Sequence, residues 1–150
     1  MSHQQDEISV IEPGAGALVD VLGAPIVIKS AGRRDQLFFA DHPMPPGFGV
    51  PLHVHEDEDE LFYILEGEIT LYSADGSAVA GPGAFVHLPR GVPHGFRNLG
   101  AGPARMIVVT TLGGALEGVF RGLDAASRDE SPLDPPRVGA ICAANRVKML

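Results

Sequence analysis

Nineteen glycines and thirteen prolines punctuate the chain from end to end, and the lengths they leave between them limit what it can build. The intervening runs are short and rich in valine, isoleucine, leucine and phenylalanine. Short apolar runs at close intervals, bounded by turn residues, predict an all-β sandwich or barrel. The expected strands are Pro25–Ser30, Gln36–Asp41, Leu61–Leu65, Glu68–Ser73, Ala84–Leu88, His94–Asn98 and Ala104–Leu112. Glu66-Gly67 reads as a turn between two strands. Ala74-Asp75-Gly76-Ser77 reads as another, with the Asp-Gly pair that hairpins favour. In the strand after Gly67, Ile69 and Leu71 share one face while Glu68, Thr70 and Tyr72 share the other. Met106-Ile107-Val108-Val109 is apolar on both faces, which suits a strand covered on both sides.

The pattern changes after Leu112, where Gly113-Gly114 ends the strand. Leu116, Val119, Phe120 and Leu123 recur at helical spacing and predict a short helix over Ala115–Leu123. Asp124–Pro136 is polar and proline-rich and reads as an extended linker. A second short helix is expected over Val138–Val147, with Val138, Ile141 and Cys142 on one side. Residues 1–14 read as a frayed arm or an edge strand. The whole is one domain, with a barrel over about 20–112 and a helical extension over about 113–150. A chain of 150 residues buries a core without staples.

Charge and cysteine count exclude several classes. A net charge of -8 repels phosphate backbones and anionic lipid, so neither nucleic acid nor membrane is an expected partner. Cys142 is the only cysteine and cannot form an internal disulfide. Its setting is that of a small buried apolar residue rather than a nucleophile. The first residues carry neither a basic nor an apolar leader segment. No apolar run approaches the roughly 18 residues that cross a bilayer. The expected location is cytoplasmic.

Three of the histidines form a pattern with one acid. His53 and His55 are two apart, which puts both side chains on one face of a strand. Glu60 follows, leading into Leu61-Phe62-Tyr63-Ile64. His94 follows Pro89-Arg90-Gly91-Val92-Pro93. Two imidazoles and a carboxylate from one hairpin, with an imidazole from a separate strand, can surround a divalent cation. Imidazole suits Zn, Cu, Fe and Ni, and the carboxylate adds tolerance for Mn. Such a set leaves coordination positions open. The acids Glu56-Asp57-Glu58-Asp59 read as a solvated loop. His3, His42 and His87 read as structural or incidental, as a single histidine on a strand usually is.

Glycine and proline markers frame these residues. Gly47 is followed by His53-Val54-His55, Glu60 and Gly67; Gly83 is followed by Pro89-Arg90-Gly91, His94 and Asn98. These spacings resemble both signature motifs of the cupin superfamily, and the short stretch Glu68–Pro82 between them resembles that of microbial single-domain cupins. A looser likeness, from Gln36 to the C-terminus, is to small bacterial cupins called quercetin-dioxygenase-like. It is carried by Phe85–Asn98, the Leu112-Gly113-Gly114 helix start and the Asp134–Leu150 tail. The resemblance implies a double-stranded β-helix, a jelly-roll barrel of two antiparallel sheets, followed by short C-terminal helices. It implies that His53, His55, Glu60 and His94 hold one divalent metal (Fe, Ni, Mn, Cu or Zn) inside the barrel. It also selects Glu60 over the neighbouring Glu58 and Asp59. Gly67 and Gly91 fall where turns need positive φ.

Phe62 and Ile64 share parity with Glu60, and Phe96 and Asn98 share parity with His94, so all four are pocket candidates. Phe38, Met106 and Val108 are further candidates, and each is equally at home in a plain core. Arg90, Arg97 and Arg105 read as surface ion-pair residues. Three functions share the same four metal-site residues. One is an oxygenase acting on a small enolic or phenolic compound, with Glu60 as a base. Another is a non-redox isomerase or cyclase. The last is a small-molecule-binding module without turnover. Exposed strand edges and the family likeness predict a homodimer.

Overall fold

A computed structural model describes residues 8–31, 37–111 and 114–150. His3, Gln36, Leu112 and Gly113, which figure in the expectations above, lie outside the described residues. The strands are β1 (Ala17–Val21), β2 (Ala24–Ser30), β3 (Phe38–Met44), β4 (Gly49–His55), β5 (Glu60–Glu66) and β6 (Ile69–Ser73). They continue with β7 (Gly76–Ala80), β8 (Phe85–Leu88), β9 (His94–Arg97), β10 (Ala104–Thr110) and β11 (Val147–Met149). Helices α1 (Ala115–Ser127) and α2 (Pro135–Ala144) lie between β10 and β11.

The strands form two antiparallel sheets, ordered β1-β2-β3-β10-β5-β8 and β11-β4-β9-β6-β7. From β3 onward the chain crosses repeatedly between sheets, which gives a jelly-roll barrel rather than a stack of hairpins. Alternation supplies the core. Phe38, Ala40, His42 and Met44 point inward from β3, Phe62 and Ile64 from β5, and Met106 and Val108 from β10. The run 106–109 lies between β3 and β5, and its second face is half-buried, as its composition required.

The turns differ in kind. Ala74-Asp75 closes a two-residue hairpin, with Ser73 paired to Gly76. Glu66-Gly67 instead carries the chain from one sheet to the other. Gly67 has φ 70°, and a Cβ there would lie 2.7 Å from the Pro103 carbonyl oxygen, so only glycine turns this corner. Gly91 also has positive φ, at 76°.

Three expectations need correction. Strands β1, β7 and β11 were not foreseen. The polar stretch after Leu123 is not a linker throughout, because α1 continues to Ser127. Helix α2 starts at Pro135 and stops at Ala144 rather than spanning Val138–Val147. Asp134 caps it, accepting from the Arg137 N–H at 2.8 Å. Prolines in a first helical turn lose no hydrogen bond, so Pro135-Pro136 open a helix rather than close a linker. Arg146 then takes φ 57°, the chain reverses, and Val147–Met149 pair with β4.

Candidate metal centre and cavity

The site begins with an irregularity in β4. Val50 pairs with Phe96 and His53 pairs with His94, so Pro51 and Leu52 together face only Gly95. This bulge resets the alternation. Pro51 and Leu52 are both exposed, and His53 and His55 then both point inward. Gly95 makes room for it: a Cβ there would lie 2.8 Å from the Val50 carbonyl oxygen and 3.1 Å from the Leu52 nitrogen.

His53, His55 and His94 therefore come from neighbouring strands of one sheet. Glu60 comes from β5 in the other. The single hairpin expected for His53, His55 and Glu60 is not formed, because β4 and β5 face each other across the barrel. All four side chains are buried, and one donor atom from each lies within 4.8 Å of the others. Glu60 Oε2 is 3.2 Å from both His55 Nε2 and His94 Nε2. Ligand atoms held about 2.1 Å from one cation stand about 3.0–3.4 Å apart, so this spacing is that of a coordination shell.

The proton arrangement fits a cation as well. The Nδ1–H of His53 donates to the Pro51 carbonyl at 2.8 Å, and the Nδ1–H of His94 donates to the Val92 carbonyl at 3.0 Å. Each ring is thereby fixed with Nε2 as its free lone pair. Those lone pairs gather around a carboxylate, an arrangement that a cation relieves. Burial pushes the His53 imidazole down to about 4, favouring the neutral form that ligates. For Glu60, burial acts upward, but His55 and then His94 outweigh it and hold the carboxyl well below the carboxylate range. For His55, burial acts downward, and Glu60 outweighs it to raise the imidazole. Together these residues can hold a divalent metal ion.

The acidic loop before Glu60 is not simply solvated. Glu58 is fully buried. Its carboxylate accepts from the Ala115 N–H at 2.7 Å and the Leu116 N–H at 3.0 Å. The residue preceding α1, Gly114, has no side chain to cap the helix, so Glu58 does so from a distant loop. Asp59 pairs with Arg90, and Glu56 and Asp57 pair with Arg146. Arg105 pairs with Asp41, so Arg90 and Arg105 are surface ion-pair residues as expected.

His53, His55 and Glu60 open onto a cavity of about 380 Å³. Its roof is the buried stripe of α1, with Leu116, Val119, Phe120 and Leu123. Val138 and Cys142 of α2 and Val147 and Met149 of β11 close one side. Among the described residues, neither lysine nor arginine lines it. Burial raises the Cys142 thiol, in keeping with a packing role.

Among the pocket candidates, Phe96 lines this cavity. Phe62 and Ile64 point inward as their parity with Glu60 required, and Phe38, Met106 and Val108 point inward too, but all five lie in the packed core outside the described cavity wall. Asn98 serves the backbone instead. Its amide donates to the Met44 and Gly102 carbonyls and its oxygen accepts from the Gly100 N–H. His42, read from sequence as incidental, lines the cavity. The signal for it was available: it shares parity with Phe38, Ala40 and Met44 on β3.

A model of the cupin domain family matches residues 42–110. The chain is 34% identical over 72 residues to quercetin 2,3-dioxygenase of Bacillus subtilis (strain 168), covering 48% of this chain and 21% of that protein. It thus spans about a fifth of that relative's length. It is 30% identical over 107 residues to an oxalate-binding protein of Thermotoga maritima, covering 71% of this chain and 86% of that one. Among solved structures, the polyketide cyclase RemF from Streptomyces resistomycificus aligns with a TM-score of 0.58 and 25% identity, over 69% of this chain and 79% of that one.

Proposed function

Because this chain belongs to the cupin superfamily, as a small single-barrel member, we propose that it is a metal-dependent oxygenase acting on a small enolic or phenolic compound. The observation that carries this reading is the union of four converging buried donors with an apolar cavity. In it His53, His55, Glu60 and His94 hold one divalent metal. When bound there, such an ion supplies Lewis acidity toward a substrate oxygen. The chain's own residues do the rest. The walls from α1, α2 and β11 exclude water, which strengthens every electrostatic contact inside. The described wall is apolar around the metal cluster, which suits an apolar body with one acidic oxygen. In this reading Glu60 takes the proton that an enol or phenol gives up.

Protein purified without chelator or a nickel column is expected to retain about one equivalent of a redox-active metal. It should then take up oxygen only when an enolic or phenolic substrate is added. Turnover that continues without oxygen would sink the oxygenase reading. The likeness to a polyketide cyclase favours a second reading in that case, a non-redox cyclase or isomerase using the same four residues. A homodimer belongs to the same proposal. Val79 and Phe85 are exposed on β7 and β8, the edges of the two sheets, and a second copy would cover them. Light scattering at a monomer's mass would refute that assembly.

A further inference from the structure

His42 is buried, at 2% exposure, in the wall of a cavity whose other lining groups, apart from the metal cluster and the Cys142 thiol, are apolar. Its ring is boxed by three phenylalanines in edge contact, with centroids at 5.3 Å for Phe48, 6.2 Å for Phe96 and 6.4 Å for Phe120. A phenylalanine would satisfy that packing, so the nitrogen atoms call for another explanation. Nδ1–H donates to the Pro43 carbonyl at 3.0 Å, which fixes the tautomer. Burial brings the imidazole down to about 4, so the ring is neutral at ordinary pH. Nε2 is then a bare acceptor. Among the described residues it has no protein partner, yet it is not one of the sealed, orphaned polar atoms, which are His55 Nδ1 and Thr110 Oγ1. His42 itself lines the cavity, so this nitrogen is the ring's free acceptor for a molecule bound there. An acceptor left unpaired in an apolar wall is costly, and a donor on a bound molecule offsets that cost.

We propose that His42 is the polar recognition point of this cavity, its Nε2 accepting a hydrogen bond from a hydroxyl group of an aromatic ligand held between the metal cluster and helix α1. This rests on the reading of the cavity as the substrate site and adds a requirement to it. The ligand carries a hydrogen-bond donor on its apolar body, apart from the oxygen directed at the metal cluster. His42 is thus a positioning and specificity residue.

The test uses chelator-treated protein, in which a probe's hydroxyl can meet His42 Nε2 or the emptied donors His53, His55 and Glu60, and the His42 variants tell the two apart. Three probes of similar size are titrated and followed by their own fluorescence: 2-naphthol, 2-methoxynaphthalene and naphthalene. Wild type is expected to bind 2-naphthol about tenfold more tightly than the methyl ether. Without an acceptor that preference would be lost, because nothing offsets the hydration the naphthol gives up. His42→Phe should bring naphthol and ether to within about twofold while leaving naphthalene unchanged. His42→Gln, which restores an acceptor oxygen, should recover part of the preference. Equal affinities in wild type overturn the proposal whether or not the variants fold, as does a preference that survives in His42→Phe. Failure of all three probes to bind also overturns it. Since no metal or turnover enters, a negative oxygen-uptake screen leaves this result standing, and the reverse also holds.

Discussion

Alanine in place of His94 is expected to strip the protein of its metal while the barrel stays folded. His94 Nε2 points at Glu60 Oε2 from 3.2 Å, and its ring is held by the Val92 carbonyl. Loss of a residue that merely orients a metal ligand costs about 10–100-fold in affinity, and loss of the ligand itself should cost at least about 100-fold. The barrel does not depend on it, because the core is built from apolar side chains of both sheets. His53→Ala should behave alike, since His53 and His94 are register partners in adjacent strands. Elemental analysis after dialysis reads the first effect. Thermal melts with and without chelator read the second. At metal concentrations 100 times Kd, wild type gains about 2.7 kcal/mol that the variants should lack. Unchanged metal content in either variant would refute the ligand assignment.

Glu58→Ala should produce the largest loss of stability, about 3 kcal/mol, and loosen the roof of the cavity. The substitution deletes a buried carboxylate that accepts from two helix N–H groups. Each donor left unpaired costs about 1–3 kcal/mol, and the favourable interaction with the helix dipole goes with them. Glu58→Gln keeps an acceptor oxygen and should lose less. Urea denaturation gives the magnitude. Amide exchange gives the location: protection should fall first over Leu116–Leu123, ahead of the strands. Equal protection in α1 together with a stability change below about 0.5 kcal/mol would remove the capping role.

The architecture was legible in sequence wherever the physics is local. Turn residues and alternation located β2, β3, β5, β6, β8, β9 and β10, and the helical spacing of Leu116, Val119, Phe120 and Leu123 located the buried stripe of α1. The His-x-His spacing and the motif frame point to His53, His55, Glu60 and His94, which the fold brings together. Harder to read was whatever depends on a partner far along the chain. Glu58 looked like one more solvated acid because its acceptor role is defined by Ala115 and Leu116, more than fifty residues away. Strand β11 has three residues and exists only because β4 has an edge to receive it. Parity with Glu60 placed Phe62 and Ile64 inward, yet parity cannot separate a packed layer from a cavity wall. His42 reads as incidental because a single histidine carries no sign of a role, and only the inward phase of β3 reveals where it points.

The path of the last residues bears on how the protein is handled in the laboratory. Leu150 lines the cavity rim, and its N–H donates to the Leu52 carbonyl, so anything fused after it emerges beside the site. An affinity tag of consecutive histidines placed there would bring a dense supply of competing imidazoles within reach of the four native donors. Its metal content and its apparent ligand affinity would then describe the tag as much as the barrel. The other end of the described chain offers a cleaner attachment. Ile8 to Gly16 are exposed and are not among the described residues that line the cavity.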